Sequence, residues 1–170
     1  MKIIITIYLM IVCFTANISA QTVTKNSLPK NLKGVRMNFQ MDFSHAVIYG
    51  MSEEDFAAYE KDWYEDKPTI ISNFRKAANL ALGKSYGIGN YKEAPYTVKV
   101  VVNTITDEGY IICDVDIVNK DNEILFHIDN LTGGKEPPLF IGTKLTRVKV
   151  WSTLSGKKLG TILKKEISSK

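Results

Sequence analysis

The chain has 170 residues, with 22 lysines and arginines set against 18 aspartates and glutamates, for a net charge of +4. That length supports one domain with a real core. The charge is too mild for a nucleic-acid partner, which demands many phosphate-neutralising cations.

Residues 1–20 have the three-part order of a secretory signal peptide. Lys2 gives the positive start, residues 3–16 form an apolar run broken by Thr6, Cys13 and Thr15, and Asn17-Ile18-Ser19-Ala20 offers small residues before Gln21. A membrane-spanning helix needs about 20 apolar residues, and this run is shorter. Cleavage after Ala20 and a secreted or periplasmic location are therefore expected, with no transmembrane segment in the mature chain. Removal of Lys2 leaves 21 bases against 18 acids, or +3, and removal of Cys13 leaves Cys113 alone. A single cysteine forms no internal disulfide. Cys113 reads as a small buried hydrophobe rather than a reactive thiol. Lipidation of Cys13 is disfavoured because Met10-Ile11-Val12 lacks the small residues expected before such a site.

Residues 21–34 lack periodicity and carry Asn26, Pro29, Asn31 and Gly34, the composition of a flexible leader. A single α/β domain is expected over 35–170. Met37, Phe39, Met41 and Phe43 alternate with polar residues, which predicts a half-buried strand running on towards Tyr49, with His45 on its inner side. Ser52 followed by Asp55 predicts a helix start, and Glu53, Glu54 and Asp55 suit its positive end. A second helix follows from Asp66 and Pro68, with Ile70, Ile71, Phe74, Ala77, Ala78 and Ala81 inward and Gly83 at its close. Gly87, Gly89, Asn90 and Pro95 read as a loop. Strands over 96–105, 110–118 and 123–130, joined by turn residues at 106–109 and 119–122, predict an antiparallel meander. A Gly- and Pro-containing connection over 132–142 leads to a last helix over 143–166. The fold class is α+β: a two-layer α/β sandwich whose mixed four-stranded sheet, ordered β-αα-β-β-β-α, carries its helices on one face.

Three patterns bear on function. Pairing Ile105 with Tyr110 puts Lys99 opposite Asp116 and Val101 opposite Asp114, and brings Asp114, Asp116, His127 and Asp129 to one outward sheet face. Oxygen and nitrogen ligands suit a divalent cation, but Lys99 stands where the metal charge would go, so a solvated face with cross-strand ion pairs is the expectation. Charge is also segregated. Residues 52–66 hold seven acids and Lys61, whereas residues 143–170 hold eight bases (Lys144, Arg147, Lys149, Lys157, Lys158, Lys164, Lys165 and Lys170) and Glu166. The two segments either attract each other inside the fold or leave the basic helix to meet anionic lipid or an acidic partner. Trp151 is a candidate anchor on that helix, with partial burial in the core as the favoured alternative. Finally, Ser152, Gly156 and Gly160 recur every fourth residue. Glycine costs about 1 kcal/mol in a helix interior, so the spacing predicts close backbone approach to the sheet or to the 68–82 helix.

No G-x-S-x-G elbow, phosphate loop or H-E-x-x-H occurs, Gly87-x-Gly89 lacks a following helix, and nothing local places His45 or His127 beside a nucleophile. Asn130-Leu131-Thr132 matches a glycosylation acceptor, relevant only in a eukaryotic secretory pathway. The leader ending Ile18-Ser19-Ala20, with the element order that closes in Gly156-Lys157-Lys158-Leu159-Gly160, resembles uncharacterised periplasmic α/β proteins. It is also similar to small accessory domains of outer-membrane assembly and secretion machinery. That resemblance covers 35–166 and implies no catalytic residue and no cofactor. The expected function is an exported, non-enzymatic envelope protein that binds a protein or anionic-surface partner. The alternatives are a small-molecule or hydrophobic-ligand binder with Trp63 or Trp151 near its pocket, and a hydrolase with a spatially assembled site.

Overall fold

The computed structural model describes residues 21–30, 32, 34–134 and 142–168. The expected leader over 1–20 and most of the 132–142 connection lie outside them. The elements in chain order are β1 (Thr22–Asn26), β2 (Arg36–Asp42), β3 (Val47–Ile48), α1 (Glu53–Tyr59), α2 (Trp63–Leu82), β4 (Gly87–Gly89), β5 (Tyr96–Ile105), β6 (Ile111–Asn119), β7 (Ile124–Leu131) and α3 (Lys144–Ser168).

Turn chemistry at 106–109 and 119–122 joins β5, β6 and β7 into the expected antiparallel meander. The αα crossover from β2 forces a parallel return, and β2 pairs parallel with both β5 and β4. The sheet is thus mixed, in the order β1-β7-β6-β5-β2-β4, with β3 also on β5. Seven strands take part where four were expected. Val98, Val100, Val102, Cys113, Val115, Ile117, Phe126 and Ile128 point to one face and are buried under the helices. The intervening side chains form the uncovered face.

The three additional strands escape a hydrophobic pattern for different reasons. β1 lies in the segment read as a flexible leader and contains one apolar residue, Val23, yet it pairs antiparallel with β7. Ser27 N donates to Leu125 O at 2.8 Å, and Leu28 and Leu32 are buried behind it. β4 lies in the segment read as a loop. Its central Ile88 is held by the side chain of Asn79 on α2, which donates to Ile88 O at 2.6 Å and accepts from Ile88 N at 2.7 Å. A helix side chain here does the work of a neighbouring strand. β3 is separated from β2 by a turn: Asp42 accepts from Ser44 N at 2.8 Å and Ala46 N donates to Phe43 O at 2.9 Å. That turn leaves His45 exposed rather than inward.

Helix starts follow their local chemistry. Ser52 caps α1 by accepting from Asp55 N at 3.1 Å while its hydroxyl donates to the Asp55 carboxylate at 2.7 Å. α2 starts at Trp63, earlier than Pro68 suggested, with Pro68 inside the helix and exposed. Trp63 is fully buried, edge-on to Phe43 and Phe56 at 5.7 and 5.2 Å, and its indole N–H donates to Glu53 at 2.9 Å. That satisfied polar tip is what lets the ring enter the core.

The contact that sets the helical layer is between backbones. Ser152 Oγ donates to Ile70 O at 2.5 Å. A Cβ on Gly156 would collide with the carbonyl of Phe74, and one on Gly160 with the carbonyl of Ala78, both under the 3.0 Å that real Cβ contacts essentially never show. The small residues therefore pack on α2, the second of the two surfaces their spacing allowed. Because 152, 156 and 160 meet 70, 74 and 78 in the same order, the two helices run parallel. Gly156→Ala should lower stability by about 2 kcal/mol or more even though alanine is the better helix former, since overpacking typically costs 1–3 kcal/mol. Thermal unfolding reads this directly; a melting temperature equal to or above that of the unaltered protein would contradict the packing.

Candidate functional site: a lysine face and a buttressed sheet face

The basic helix divides into two parts. At its start every cation has an internal task. Lys144 Nζ lies 4.1 Å from the Tyr59 ring centroid and 5.1 Å from that of Tyr49. Arg147 donates to Asp107 O at 3.3 Å. Lys149 pairs with Asp66 of α2 at 2.7 Å. Trp151, expected as a possible anchor, is 2% exposed with its ring 3.9 Å from that of Tyr110; it fixes α3 to the sheet and presents nothing to a partner.

The later part differs. Lys157, Lys158, Lys164 and Lys165 are all exposed, and none forms an ion pair among the described residues. Gly156 and Gly160 face α2, while Val148, Trp151 and Leu159 are buried against the sheet side. Helical periodicity then puts Lys157 and Lys164 outward, in line with exposed Thr153, Thr161 and Ser168, and turns Lys158 and Lys165 to the flank away from α2. Lys170 lies outside the described residues.

Parallel packing adds a contribution that the pattern within α3 alone does not reveal. Residues 72–84 of the neighbouring segment contain Arg75, Lys76 and Lys84 and no acid. Lys76 and Lys84 are exposed, and Leu80 between them is 86% exposed. The single acid of α3, Glu166, accepts from Asn26 at 2.7 Å. The acids of 52–66 lie at the other end: Glu53 is bridged to Lys67 and Asp66 to Lys149. Among the described residues the acidic segment thus pairs with the basic one only through Asp66 and Lys149, near the starts of α2 and α3, and the C-terminal half of the helical layer is left positive.

The uncovered sheet face contains the other expected cluster. Lys99 pairs with Asp116 and Val101 with Asp114 as the alternation required, and Asp116 pairs with His127. The register slips by one residue at Asn103, so Ile105 meets Ile111 instead of Tyr110. His127 lies between two carboxylates, with Nδ1 2.6 Å from Asp116 and Nε2 2.9 Å from Asp129. Asp114 is engaged separately, by Asn103 Nδ2 and by the backbone N–H of Asn130, both at 2.9 Å. Lys99 turns aside to Asn122 at 3.0 Å. Both ring nitrogens thus face carboxylate oxygens, an arrangement that favours the protonated imidazole. Among the described residues no group of three or more His, Cys, Asp or Glu side chains is placed to hold a metal ion. Of the candidate metal ligands, Asp116, His127 and Asp129 form one hydrogen-bonded group and Asp114 belongs to another.

Cys113 is fully buried, and burial pushes its thiol well above the ordinary range, away from thiolate chemistry. Burial also pushes the Tyr49 hydroxyl up to about 12. Val35, Arg36 and residues 90–95 line an open depression of about 720 Å³ beside β4, with the Arg36 guanidinium 5.1 Å from the Tyr91 ring centroid. Trp63 and Trp151, expected near a ligand pocket, are both locked in aromatic packing away from it.

Comparison of the sequence with protein-family models and with curated proteins gives no match. Among solved structures, a PelC dodecamer from Paraburkholderia phytofirmans aligns over 82% of this chain and 95% of that chain, at 9% identity and a TM-score of 0.37. Neither fold nor function is carried across at that level.

The hydrogen bond to Asp116, helped by that to Asp129, raises the His127 pKa above its ordinary 6.5. The resulting stabilisation is complete below about pH 6.5, the unfolded value, and is lost as pH rises through the folded value. Urea midpoints should therefore fall from about pH 6 to pH 8, and His127→Gln should flatten that slope. An unchanged slope in the variant would contradict the assignment.

Proposed function

We propose that the protein is an exported, non-enzymatic binding module of the cell envelope. It docks an anionic partner through the C-terminal half of its helical layer. One observation carries this reading: Lys157 and Lys164 on the outward side of α3, and Lys158 and Lys165 on its adjoining flank away from α2, are all exposed without ion-pair partners among the described residues, with exposed Lys76 on the neighbouring helix. Lysines near a helix C-terminus also complement its dipole, but that effect is confined to the last turn and leaves Lys157 and Lys158 unexplained. The buried thiol of Cys113 and the doubly hydrogen-bonded His127 favour binding over nucleophilic catalysis. Export through residues 1–20 is part of the same reading.

A cation near an anionic surface contributes about 1 kcal/mol, and the contribution falls with salt. Protein recovered from its native envelope, with an intact mass beginning at Gln21, should bind either polyglutamate or anionic vesicles at low salt. Joint replacement of Lys157, Lys158, Lys164 and Lys165 by glutamine should weaken that binding roughly 1,000-fold at low salt with the fold intact by circular dichroism. Binding to neither probe, or equal binding by the variant, would overturn the docking reading. A retained leader would overturn export.

A further inference from the structure

We infer that the partner on this basic surface is an anionic lipid bilayer, and that Leu80 enters its interface. The inference rests on the docking reading above and names its occupant. Leu80 is 86% exposed and lies four residues from Lys76 and four from Lys84, both exposed. An exposed apolar side chain with Lys76 one helical turn before it, and Lys84 just past the end of the helix, matches a surface offering hydrocarbon just beneath negative headgroups. A carboxylate-rich protein patch would supply charge and leave Leu80 in water.

Shape leads to the same occupant. Because Gly156 and Gly160 bring the backbones of α2 and α3 into contact, the outer sides of the two helices form one broad surface rather than two ridges with a cleft. The outward line of Thr153, Lys157, Thr161, Lys164 and Ser168 on α3 lies beside that of Lys76 and Leu80 on α2. Such a surface suits a plane. The exposed acids Asp62 and Glu65 lie at the opposite end of α2, so a bilayer meets the C-terminal half and is repelled from the start.

The type of cation agrees. Every exposed base in this region is lysine, and the one arginine, Arg75, is half-buried. Lysine is a compact point charge on a flexible stem, suited to diffuse attraction by many headgroups, whereas paired recognition of carboxylates favours the arginine fork. No helix among the described residues is long and apolar enough to cross a membrane, so the contact is peripheral.

The test uses the full protein with Leu80→Trp. The native tryptophans are shielded, Trp63 at 0% and Trp151 at 2% exposure, so the new ring reports its own surroundings. Vesicles of phosphatidylcholine with and without phosphatidylglycerol are compared, alongside polyglutamate as a soluble polyanion. Binding should require phosphatidylglycerol and fall at high salt. The Leu80→Trp emission should shift to the blue and be quenched by brominated acyl chains. Leu80→Ser, at a site too exposed to disturb folding, should weaken vesicle binding by roughly tenfold or more and leave polyglutamate binding unchanged. Polyglutamate binding without vesicle binding would overturn the bilayer assignment while leaving anionic docking in place. Vesicle binding with no quenching and no effect of Leu80→Ser would overturn the insertion of Leu80. Binding to neither polyanion would remove both readings.

Discussion

Backbone contact between α2 and α3 is the constraint on which the other features depend. Three small residues, Ser152, Gly156 and Gly160, meet the carbonyls of Ile70, Phe74 and Ala78 in order. Two glycines within a helix cost helical propensity, and close parallel packing offsets that cost only where the partner backbone is also exposed along a matching four-residue line. The contact fixes the direction of α3 as well as its distance. An antiparallel partner would have laid the lysines of 157–165 against the acids at the start of α2. The parallel one joins Lys149 to Asp66 and leaves the far lysines unneutralised beside Lys76 and Lys84. The charge asymmetry of the surface is therefore a consequence of helix direction.

The two faces of the sheet obey different rules. Under the helices, branched and aromatic side chains exclude water and even the Cys113 thiol is shut away from it. On the uncovered face, charged groups are hydrogen-bonded locally: His127 between Asp116 and Asp129, Asp114 between Asn103 and Asn130, Lys99 on Asn122. Such closed networks hold strands together and have little capacity left for an outside ligand. The helical layer has the reverse character, with its cations paired at one end and unpaired at the other.

Periodicity made the meander, the capped start of α1 and the outward cluster legible, because each depends on neighbours in sequence or on strict alternation. The Lys99–Asp116 register could be read for the same reason, and the slip at Asn103 could not, since a bulge leaves no trace in an apolar pattern. β1 was missed because an edge strand needs only one apolar residue, and β4 because it is three residues long and is held by β2 on one side and by the side chain of Asn79 on the other, neither of which shows in its own pattern. His45 was misplaced when Ser44 bonded back to Asp42 and turned the strand. Of the candidate binding residues, Lys157, Lys158, Lys164 and Lys165 lie on the open surface, whereas Lys144, Arg147, Lys149 and Trp151 serve the fold. Composition alone cannot separate those groups: they share one helix, and what distinguishes them is the tertiary partner each one meets. Leu80, Lys76 and Lys84 went unnoticed because they join the surface only through the direction of packing.

That direction is directly measurable. Spin labels placed in pairs on exposed helix positions report separation by pulsed electron paramagnetic resonance. With the helices parallel, labels at Leu80 and Thr161 are close to level, while labels at Leu80 and Thr153 are offset by about 12 Å more along the axis, from a rise of about 1.5 Å per residue. The account predicts the shorter distance for the 80–161 pair. A shorter distance for 80–153 would reverse α3 and contradict it.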